Sequence, residues 1–192
     1  MEVIANIDRQ LFLAINGAHN EFFDFIMFWL SDKLIWIPLY AWFLYLYFKT
    51  FGWKQALWLL LMSGLLIAAS DQGSVHLFKN MFERSRPCHD PELESIVHLV
   101  NGKCGGQYSF VSSHAANHFA IAVFVSIILG IKMRYLPPVL LAWAGLIGYS
   151  RIYLGVHYPG DVLGGAAYGS MVGFLAGTIT KLTILREHHG FW

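Results

Sequence analysis

The sequence predicts an all-α fold, a polytopic bundle of about five transmembrane helices preceded by interfacial helices. Three observations carry this prediction. Hydrophobic residues make up 56% of the 192 residues and charged residues only 13%, which is far more apolar than a soluble domain. The apolar residues gather in segments, several of them about long enough to cross a bilayer. Aromatic residues crowd the segment ends, as they do at membrane interfaces. With no repeat and no change in composition, the whole chain, residues 1–192, is expected to form one domain.

The N-terminal region, up to residue 32, is predicted to form two helices on the membrane surface. Apolar side chains recur at helical spacing in residues 4–16, and the charged residues Asp8 and Arg9 fall on other faces. The apolar run 22–30 is too short to span a bilayer, so an interfacial or re-entrant helix is expected there. The first residues lack a basic stretch followed by an uninterrupted apolar core, so no cleavable signal peptide is expected.

Five longer apolar segments follow, and each is predicted to cross the membrane as a helix. They cover residues 34–48, 56–78, 112–131, 135–152 and 162–180. The first is short for a bilayer, so Lys33 and Lys49 at its ends are expected to snorkel toward water. In the last segment Gly169, Gly173 and Gly177 recur at every fourth residue. Such a stripe allows a neighbouring helix to approach closely.

The distribution of basic residues predicts the orientation in the membrane. With five spans, one side receives basic residues in short connections and a short tail, namely Lys49, Lys54, Lys132, Arg134, Lys181 and Arg186. The opposite side holds the loop 79–111, in which acidic residues balance the basic ones. Because basic connections stay in the cytoplasm, the loop 79–111 and the stretch 150–161 are expected on the outer face. In a bacterial plasma membrane this face meets the periplasm or the exterior.

Net charge and cysteine content exclude other classes of function. The formal net charge of +1 provides no basic field to attract nucleic acid. Cys88 and Cys104 both fall in the loop 79–111, and their spacing matches neither a metal motif nor a CxxC redox pair. In an oxidising compartment they can form a disulfide that stabilises the loop by roughly 3 kcal/mol. Two unpaired thiols are the alternative. The sequence does not define an oligomeric state.

The stretch 150–161 contains several ionisable residues close together in the sequence. It holds Arg151, His157 and Asp161 between two apolar segments, where charge is costly and indicates a site. Pro159 suits the first position of a helix, which puts Asp161 in the first turn and His157 just before it. From there the carboxylate can accept the N–H of one imidazole nitrogen. The other nitrogen is then free to act as a nucleophile or base.

Two further pieces are expected on the same face, the basic segment 79–87 and the Ser112-Ser113-His114 sequence that opens the third span. Arginine offers a planar fork for phosphate oxygens, lysine adds a point charge, and the N–H groups at a helix N-terminus bind anions. The two histidines provide a nucleophile and a separate proton donor. The three pieces together predict a metal-free site for a phosphate ester.

Each piece taken alone also has a purely structural explanation. Lys79 or Arg84 alone can be a membrane-edge cation, and Arg151 with Asp161 can be an interfacial ion pair. Ser112 with Ser113 can be a helix cap, and His114 can be an interfacial histidine. His114 and His118 have the i, i+4 spacing of zinc ligands, but no glutamate lies between them and no third ligand is evident. His118 is expected to be packed or to support the site. Asp71 is interpreted as a buried counter-ion of Lys79.

The three pieces resemble the signature motifs of the type 2 phosphatidic acid phosphatase superfamily, the lipid phosphate phosphatases whose active site is shared by vanadium haloperoxidases. The first motif, Lys, six residues, Arg-Pro, is matched by Lys79 and Arg86-Pro87. The third, Ser-Arg, five residues, His, three residues, Asp, is matched in full by the stretch 150–161. The second, Pro-Ser-Gly-His, keeps only its serine and histidine in residues 111–114.

The resemblance implies hydrolysis without a metal, through a phosphohistidine. His157 would attack phosphorus, Asp161 would orient its ring, and His114 would protonate the leaving oxygen and then activate water. The phosphate oxygens would be held by Lys79, Arg86, Arg151, Ser112 and the N–H of Ser113. Serine at position 113, where the family has glycine, keeps the N–H donor but adds a Cβ that disfavours a left-handed backbone.

The sequence therefore predicts an integral membrane hydrolase that needs no cofactor and acts on a lipid phosphate or pyrophosphate of the outer leaflet. Phosphatidylglycerophosphate, phosphatidic acid, undecaprenyl pyrophosphate and lipid A are the candidate substrates. A vanadate-dependent haloperoxidase is one alternative, although that branch is soluble. A non-catalytic lipid-phosphate binding protein or an anion transporter is another, although the charged residues lie at span ends and no inverted repeat is present.

Overall fold

The computed structural model describes the backbone of residues 2–130 and 132–189, with side chains for residues 3–130 and 132–184. In this part of the chain all regular structure is helical, and β pairing is limited to an isolated bridge between Ser85 and Tyr108. The α-helices follow the order α1 (Glu2–Gly17), α2 (Glu21–Ser31), α3 (Ile37–Phe51), α4 (Trp53–Gly73), α5 (Asn80–Phe82), α6 (Ser113–Leu129), α7 (Leu136–Tyr153) and α8 (Pro159–His189). The predicted all-α fold is confirmed.

Shorter helical turns join these helices. Three are 3-10 turns, at Leu34–Trp36, Pro87–His89 and Val100–Gly102. A π-helical turn at Ser74–Lys79 connects α4 to α5 without a break. The second span is therefore longer than predicted, because it runs over 30 residues as Trp53–Phe82. A π-helical turn rotates the side chains that follow it, so this turn decides the direction of Lys79.

Five long helices stand where the sequence predicts spans. Three of the stretches are long and apolar enough to cross a membrane, Leu34–Phe51, Trp53–Phe82 and Pro159–Ile184. The apolar helix α6 has 17 residues, and α7 has 18. Large apolar side chains on the outer surface of the bundle are exposed, as lipid contact requires, with Leu61 at 53% and Ile179 at 62%. Ile131, the predicted end of the third span, lies outside the described residues.

Helix α6 runs through the middle of the bundle and packs most closely against α8. A Cβ on Gly169 would lie 2.0 Å from the carbonyl oxygen of Ala116, and one on Gly173 would lie 2.4 Å from that of Ala120. Only glycine permits this approach of the two backbones. The predicted stripe of small residues therefore sets the distance between α6 and α8.

The two N-terminal helices pack against the polar end of the bundle. On α1, Phe12 is fully buried and meets the ring of Tyr158 edge to face, with centroids 5.4 Å apart. Helix α2 begins at an N-cap, where the side chain of Asn20 accepts the backbone N–H of Phe23 at 3.0 Å. Both predicted helices exist, and their interfacial placement stays a prediction.

The short connections meet at the opposite end of the bundle. Nζ of Lys132, between α6 and α7, lies 5.4 Å from the ring centroid of Phe51, the last residue of α3. These connections therefore share one end, as the predicted topology requires. The side chain of Arg186, which also entered the orientation prediction, lies outside the described residues.

Candidate active site

His157 lies in the short connection between α7 and α8 and is 1% exposed. Gly155, two residues earlier, has a φ of +78°, and a Cβ there would lie 2.6 Å from the carbonyl oxygen of His98. This tight turn pushes the histidine inward. Burial, together with the charges of Arg86, Arg151 and Lys79, lowers the pKa of His157 well below its ordinary value. The imidazole is therefore neutral near pH 7, as a nitrogen nucleophile must be.

The two ring nitrogens of His157 face different groups. Nε2 lies 3.3 Å from Nη1 of Arg86, and Nδ1 lies 3.5 Å from Oδ2 of Asp161. Nδ1 has no hydrogen-bond partner among the described residues. The predicted contact with Asp161 therefore needs the ring to move closer by roughly 0.5 Å to become an ordinary hydrogen bond.

Asp161 is fully buried in the first turn of α8. Its Oδ2 accepts the backbone N–H of Tyr158 at 2.8 Å, and its Oδ1 accepts Nη1 of Arg84 at 2.8 Å. The alternative of an Arg151–Asp161 ion pair is wrong, because the cation paired with this carboxylate is Arg84. The first-turn position inferred from Pro159 agrees with the start of α8.

Arg86 and Arg151 bring guanidinium groups toward His157 without pairing with a carboxylate among the described residues. Arg86 is 7% exposed, and its Nη1 donates to the carbonyl of Val156 at 3.0 Å. Arg151, in the last turn of α7, donates through Nη1 to the hydroxyl of Ser31. The Nε atom of each arginine is buried and has no partner in the described part of the chain. Both arginines therefore keep N–H groups available for an anion.

Lys79 ends the π-helical turn and points to the N-terminus of α6. Its Nζ donates to Oγ of Ser113 at 2.8 Å, and that hydroxyl lies 2.6 Å from Oγ of Ser74. Asp71 makes no direct ion pair with Lys79, since its Oδ1 accepts the side-chain amide of Asn117 at 3.0 Å, but its negative charge still favours the charged form of this lysine. The serine at position 113 thus adds a hydroxyl contact to Lys79 that glycine cannot make.

Ser112 is the N-cap of α6. Its Oγ accepts the N–H of Ala115 at 3.4 Å, and its own N–H donates to the carbonyl of Asp161 at 2.9 Å. The second contact ties the start of α6 to the start of α8. Two helix N-termini, whose first N–H groups lack intrahelical partners, therefore meet beside His157.

His114, in the first turn of α6, couples electrostatically to Arg151 and His157. His118 lies one turn further on, with its ring 5.1 Å from that of Trp143 and its Nδ1 2.7 Å from the carbonyl of His114. His118 is therefore packed. Among the described residues the group with metal-ligand spacing is instead Cys88, His89 and Cys104.

The sulfurs of Cys88 and Cys104 are bonded to each other as a disulfide, which leaves no thiolate for a metal. Cys88 follows Arg86 by two residues. Gly105, next to Cys104, has a φ of +97°, and a Cβ there would lie 3.5 Å from the guanidinium carbon of Arg86. The disulfide therefore links the two loop segments that enclose the guanidinium of Arg86.

A cavity of about 400 Å³ opens beside His114. Its wall is mostly apolar and comes from α3, α4 and α6, with polar atoms from Lys33, His114, Asn117 and His118. A smaller cavity of about 260 Å³ is lined by Arg151, Lys103 and Val156 on the side of the loop. An apolar cavity next to a cationic cluster suits an amphiphile with an anionic head.

Sequence reasoning missed several residues around the site. Arg84 looked like an ordinary membrane-edge cation, yet it binds Asp161. Asp8, on the N-terminal helix, binds Arg84 at 2.7 Å. Ser31 and Ser74 also contact the basic groups. No local pattern marks these residues, because their partners lie far away in the chain.

Several known proteins are similar to this chain over most of its length. Residues 55–183 match the model of the PAP2 superfamily. A lipid A 4'-phosphatase of Bacteroides thetaiotaomicron is 40% identical over 177 residues, which cover 91% of this chain and 77% of the relative. One of Porphyromonas gingivalis is 35% identical over 173 residues, which cover 90% and 72%.

Two solved structures share the fold. A transmembrane PAP2-type phosphatidylglycerolphosphate phosphatase from Bacillus subtilis superimposes with a TM-score of 0.68 at 22% identity, covering 93% of this chain and 87% of that one. The LpxE structure from Aquifex aeolicus gives a TM-score of 0.61 at 27% identity, covering 89% and 92%. The expectation drawn from the three motifs is confirmed, and the chain belongs to the PAP2 superfamily.

Proposed function

We propose that this chain is an integral membrane phosphatase that cleaves the phosphate ester of a lipid at the outer face of a bacterial plasma membrane. The observation that carries the proposal is the environment of His157. A neutral, buried imidazole presents Nε2 to the guanidinium of Arg86 and Nδ1 to the carboxylate of Asp161. This arrangement suits nucleophilic attack on a bound phosphate, and its place at the end of membrane helices suits a lipid substrate.

In the first step Nε2 of His157 forms a bond to phosphorus while the bond from phosphorus to the lipid oxygen breaks. The leaving oxygen takes a proton from His114, so it departs as an alcohol. Negative charge on the phosphoryl oxygens is stabilised by Arg86, Arg151 and Lys79, which are already held in place by the protein. The positive charge that develops on the imidazole is stabilised by Asp161.

In the second step a water molecule attacks the phosphohistidine. His114, now neutral, takes the proton of that water, and the bond between phosphorus and Nε2 breaks. His157 returns to its neutral form and inorganic phosphate leaves. Each residue is regenerated, and this sequence of steps requires no metal ion or other cofactor.

The proposed substrate is lipid A, with the 4'-phosphate as the group removed. Two relatives that this chain matches over about nine-tenths of its length carry that activity in their names. The apolar cavity beside His114 supports a substrate with acyl chains. The smaller cavity near Arg151 and Lys103 gives polar room for a head group.

The test is phosphate release by purified protein in detergent, with no membrane gradient. We expect release from lipid A bisphosphate at a higher kcat/KM than from phosphatidylglycerophosphate, phosphatidic acid or undecaprenyl pyrophosphate. His157→Ala is expected to abolish release. The matched control is His76→Ala, because His76 is exposed on the π-helical turn and its side chain is hydrogen-bonded only to Gln72 among the described residues. Wild-type rates in His157→Ala protein would refute the mechanism, and a preference for another lipid would refute the substrate.

The outward orientation has its own test. Ser95, in the loop 79–111, and Lys132, between α6 and α7, are both exposed. Ser95→Cys in intact cells is expected to react with a membrane-impermeant maleimide, whereas Lys132→Cys reacts only after the membrane is opened. The opposite pattern of labelling would place the site in the cytoplasm.

A further inference from the structure

Arg84 links the carboxylate of Asp161 to the N-terminal helix. Its Nη1 donates to Oδ1 of Asp161 at 2.8 Å, and its Nη2 donates to Oδ2 of Asp8 at 2.7 Å. The guanidinium also lies 4.1 Å above the ring centroid of Tyr158. Two carboxylates and an aromatic face therefore fix one arginine between α1, α8 and the turn that carries His157.

Asp8 holds the same end of α8 through its second oxygen. Its Oδ1 accepts the backbone N–H of Gly160 at 2.6 Å. Gly160 is the second residue of α8, so this N–H lacks an intrahelical acceptor. The carboxylate of Asp8 therefore caps α8 from another helix and pairs with Arg84 at the same time. A Cβ on residue 160 would lie 2.8 Å from Oδ2 of Asp8, which shows how closely α1 approaches.

These contacts determine the orientation of the Asp161 carboxylate. Arg84 holds Oδ1, and the N–H of Tyr158 holds Oδ2, each at 2.8 Å. With both oxygens held, Oδ2 is the one that faces Nδ1 of His157. Arg84 also balances a negative charge that is fully buried. The charges of Asp161 and Asp8 outweigh burial and raise the pKa of Arg84, so this balance persists throughout the working pH range.

We infer that Arg84 and Asp8 are positioning residues, which turn the Asp161 carboxylate toward His157 and thereby join the N-terminal helix α1 to the chemistry. The inference rests on the proposed function. Arg84 is one of the six unspecified positions of the first motif, and Asp8 lies outside all three motifs and outside the residues 55–183 that match the family model. The activity of this chain is thus expected to depend on a helix that precedes the matched region.

The experiment measures kcat and KM for phosphate release by Arg84→Gln, Asp8→Asn and the double variant. Asparagine keeps an oxygen for the N–H of Gly160 and removes the charge that pairs with Arg84. We expect kcat to fall about tenfold in Arg84→Gln and about fivefold in Asp8→Asn, with KM within about twofold. The double variant is expected to be no slower than Arg84→Gln, because Asp8 acts through Arg84. Arg84→Lys should recover part of the rate.

The matched control is Arg9→Gln. Arg9 is the next residue on α1 and pairs with Glu92, whose side chain is 74% exposed. Its substitution is expected to leave kcat unchanged. A loss of rate in Arg9→Gln equal to that in Asp8→Asn would overturn the inference, since any change on α1 would then have the same effect.

The pH profile provides a readout that loss of fold does not move. The charged and titratable groups that face His157 are Arg86, Arg151, Lys79, Asp161 and His114. Without Arg84, the charge of Asp161 is no longer offset and stabilises the imidazolium. The acid limb of kcat/KM is therefore expected to move to higher pH in Arg84→Gln. An unmoved limb, or a higher KM at unchanged kcat, would overturn the inference.

Failure of this inference differs from failure of the proposed function. If wild-type protein releases no phosphate, or His157→Ala is as active as wild type, the proposed function fails. If wild type is active and His157→Ala is not, but Arg84→Gln keeps the wild-type kcat and pH profile, the inference about α1 alone fails.

Discussion

The two ends of the helix bundle use basic side chains in opposite ways. At the end near His157, the guanidinium groups of Arg86 and Arg151 are directed inward and pair with no carboxylate in the described part of the chain. At the other end, Lys132 and Arg134 are exposed and lie 5.4 and 4.5 Å from the ring centroids of neighbouring aromatic residues. The number of basic residues is therefore a poor guide to a site. Buried basic side chains that lack a carboxylate partner indicate a site more reliably.

Free energy explains the difference between the two ends. Burying an unpaired charge costs several kcal/mol, so such a charge persists only where a function requires it. An exposed lysine over an aromatic ring costs little and is available to orient the chain in the membrane.

Substitution of one arginine at each end gives the largest contrast. Arg86→Ala is expected to lower kcat/KM for phosphate release roughly a thousandfold, because a positioned donor to the phosphoryl oxygens is lost. Arg134→Ala at the other end is expected to stay within about twofold of wild type. Steady-state kinetics of the two purified variants measure both effects. Similar losses in both would remove the distinction between the ends.

Removal of the disulfide tests how the loop is held at the site end. Cys88→Ser with Cys104→Ser is expected to lower the free energy of unfolding by about 3 kcal/mol, because the free loop gains conformational entropy when unfolded. Thermal unfolding in detergent, with and without reductant, measures the change. Wild-type protein should shift under reductant and the double variant should not. Alkylation of both cysteines in unreduced native protein would contradict the prediction.

Asp161→Asn removes the charge that faces Nδ1 of His157 and keeps the shape of the side chain. We expect kcat to fall about a hundredfold with little change in KM, because the imidazolium formed during attack loses its counter-charge. Glu94→Gln, at an exposed acidic residue of the loop 79–111, is the matched control. A rise in KM alone would indicate a role in binding instead.

The pH dependence of kcat/KM gives a smaller expected effect than these substitutions. The pKa of His157 is lowered in the folded protein, so the neutral nucleophile persists as pH falls below about 6.5, the ordinary value for histidine. The acid limb of kcat/KM due to this residue is therefore expected below about pH 6.5, with a tenfold loss per unit beneath it. A limb at or above that pH would contradict the prediction.

The same shift affects stability with a defined sign. In the unfolded chain, His157 takes up a proton as pH falls through about 6.5, whereas the folded chain resists it. The unfolded state then binds more protons, so the contribution of His157 to stability is present above that pH and is lost as pH falls below it. His157→Gln is expected to weaken the loss of thermal stability between about pH 6.5 and 5.

Much of the bundle could be predicted because each helix is encoded locally. The five apolar segments became α3, α4, α6, α7 and α8, and Gly169 and Gly173 mark the contact between α6 and α8. The predicted ends of these helices were less accurate. The second span continues to Phe82 because a π-helical turn extends it, and apolar periodicity does not reveal such a turn.

The site was predictable only in part. Motif spacing correctly put Arg86, His157 and Asp161 near each other. The ion pairs around them were not predictable, since Arg84 binds Asp161 across 77 residues of sequence and Asp8 across 76. Such pairs depend on how whole helices are arranged, and an ion pair can form between any two residues that this arrangement brings together.

Composition and motif spacing alone identify the chain as a helical membrane protein of the PAP2 superfamily and mark the residues of its three motifs. These properties follow from hydrophobicity and short-range spacing, which are local along the chain. The packed helices alone show that Arg84 rather than Arg151 pairs with Asp161, and that Asp8 reaches the start of α8. Those contacts follow from the packing of α1 against α8, and burial in that packing turns ordinary charged residues into parts of a site.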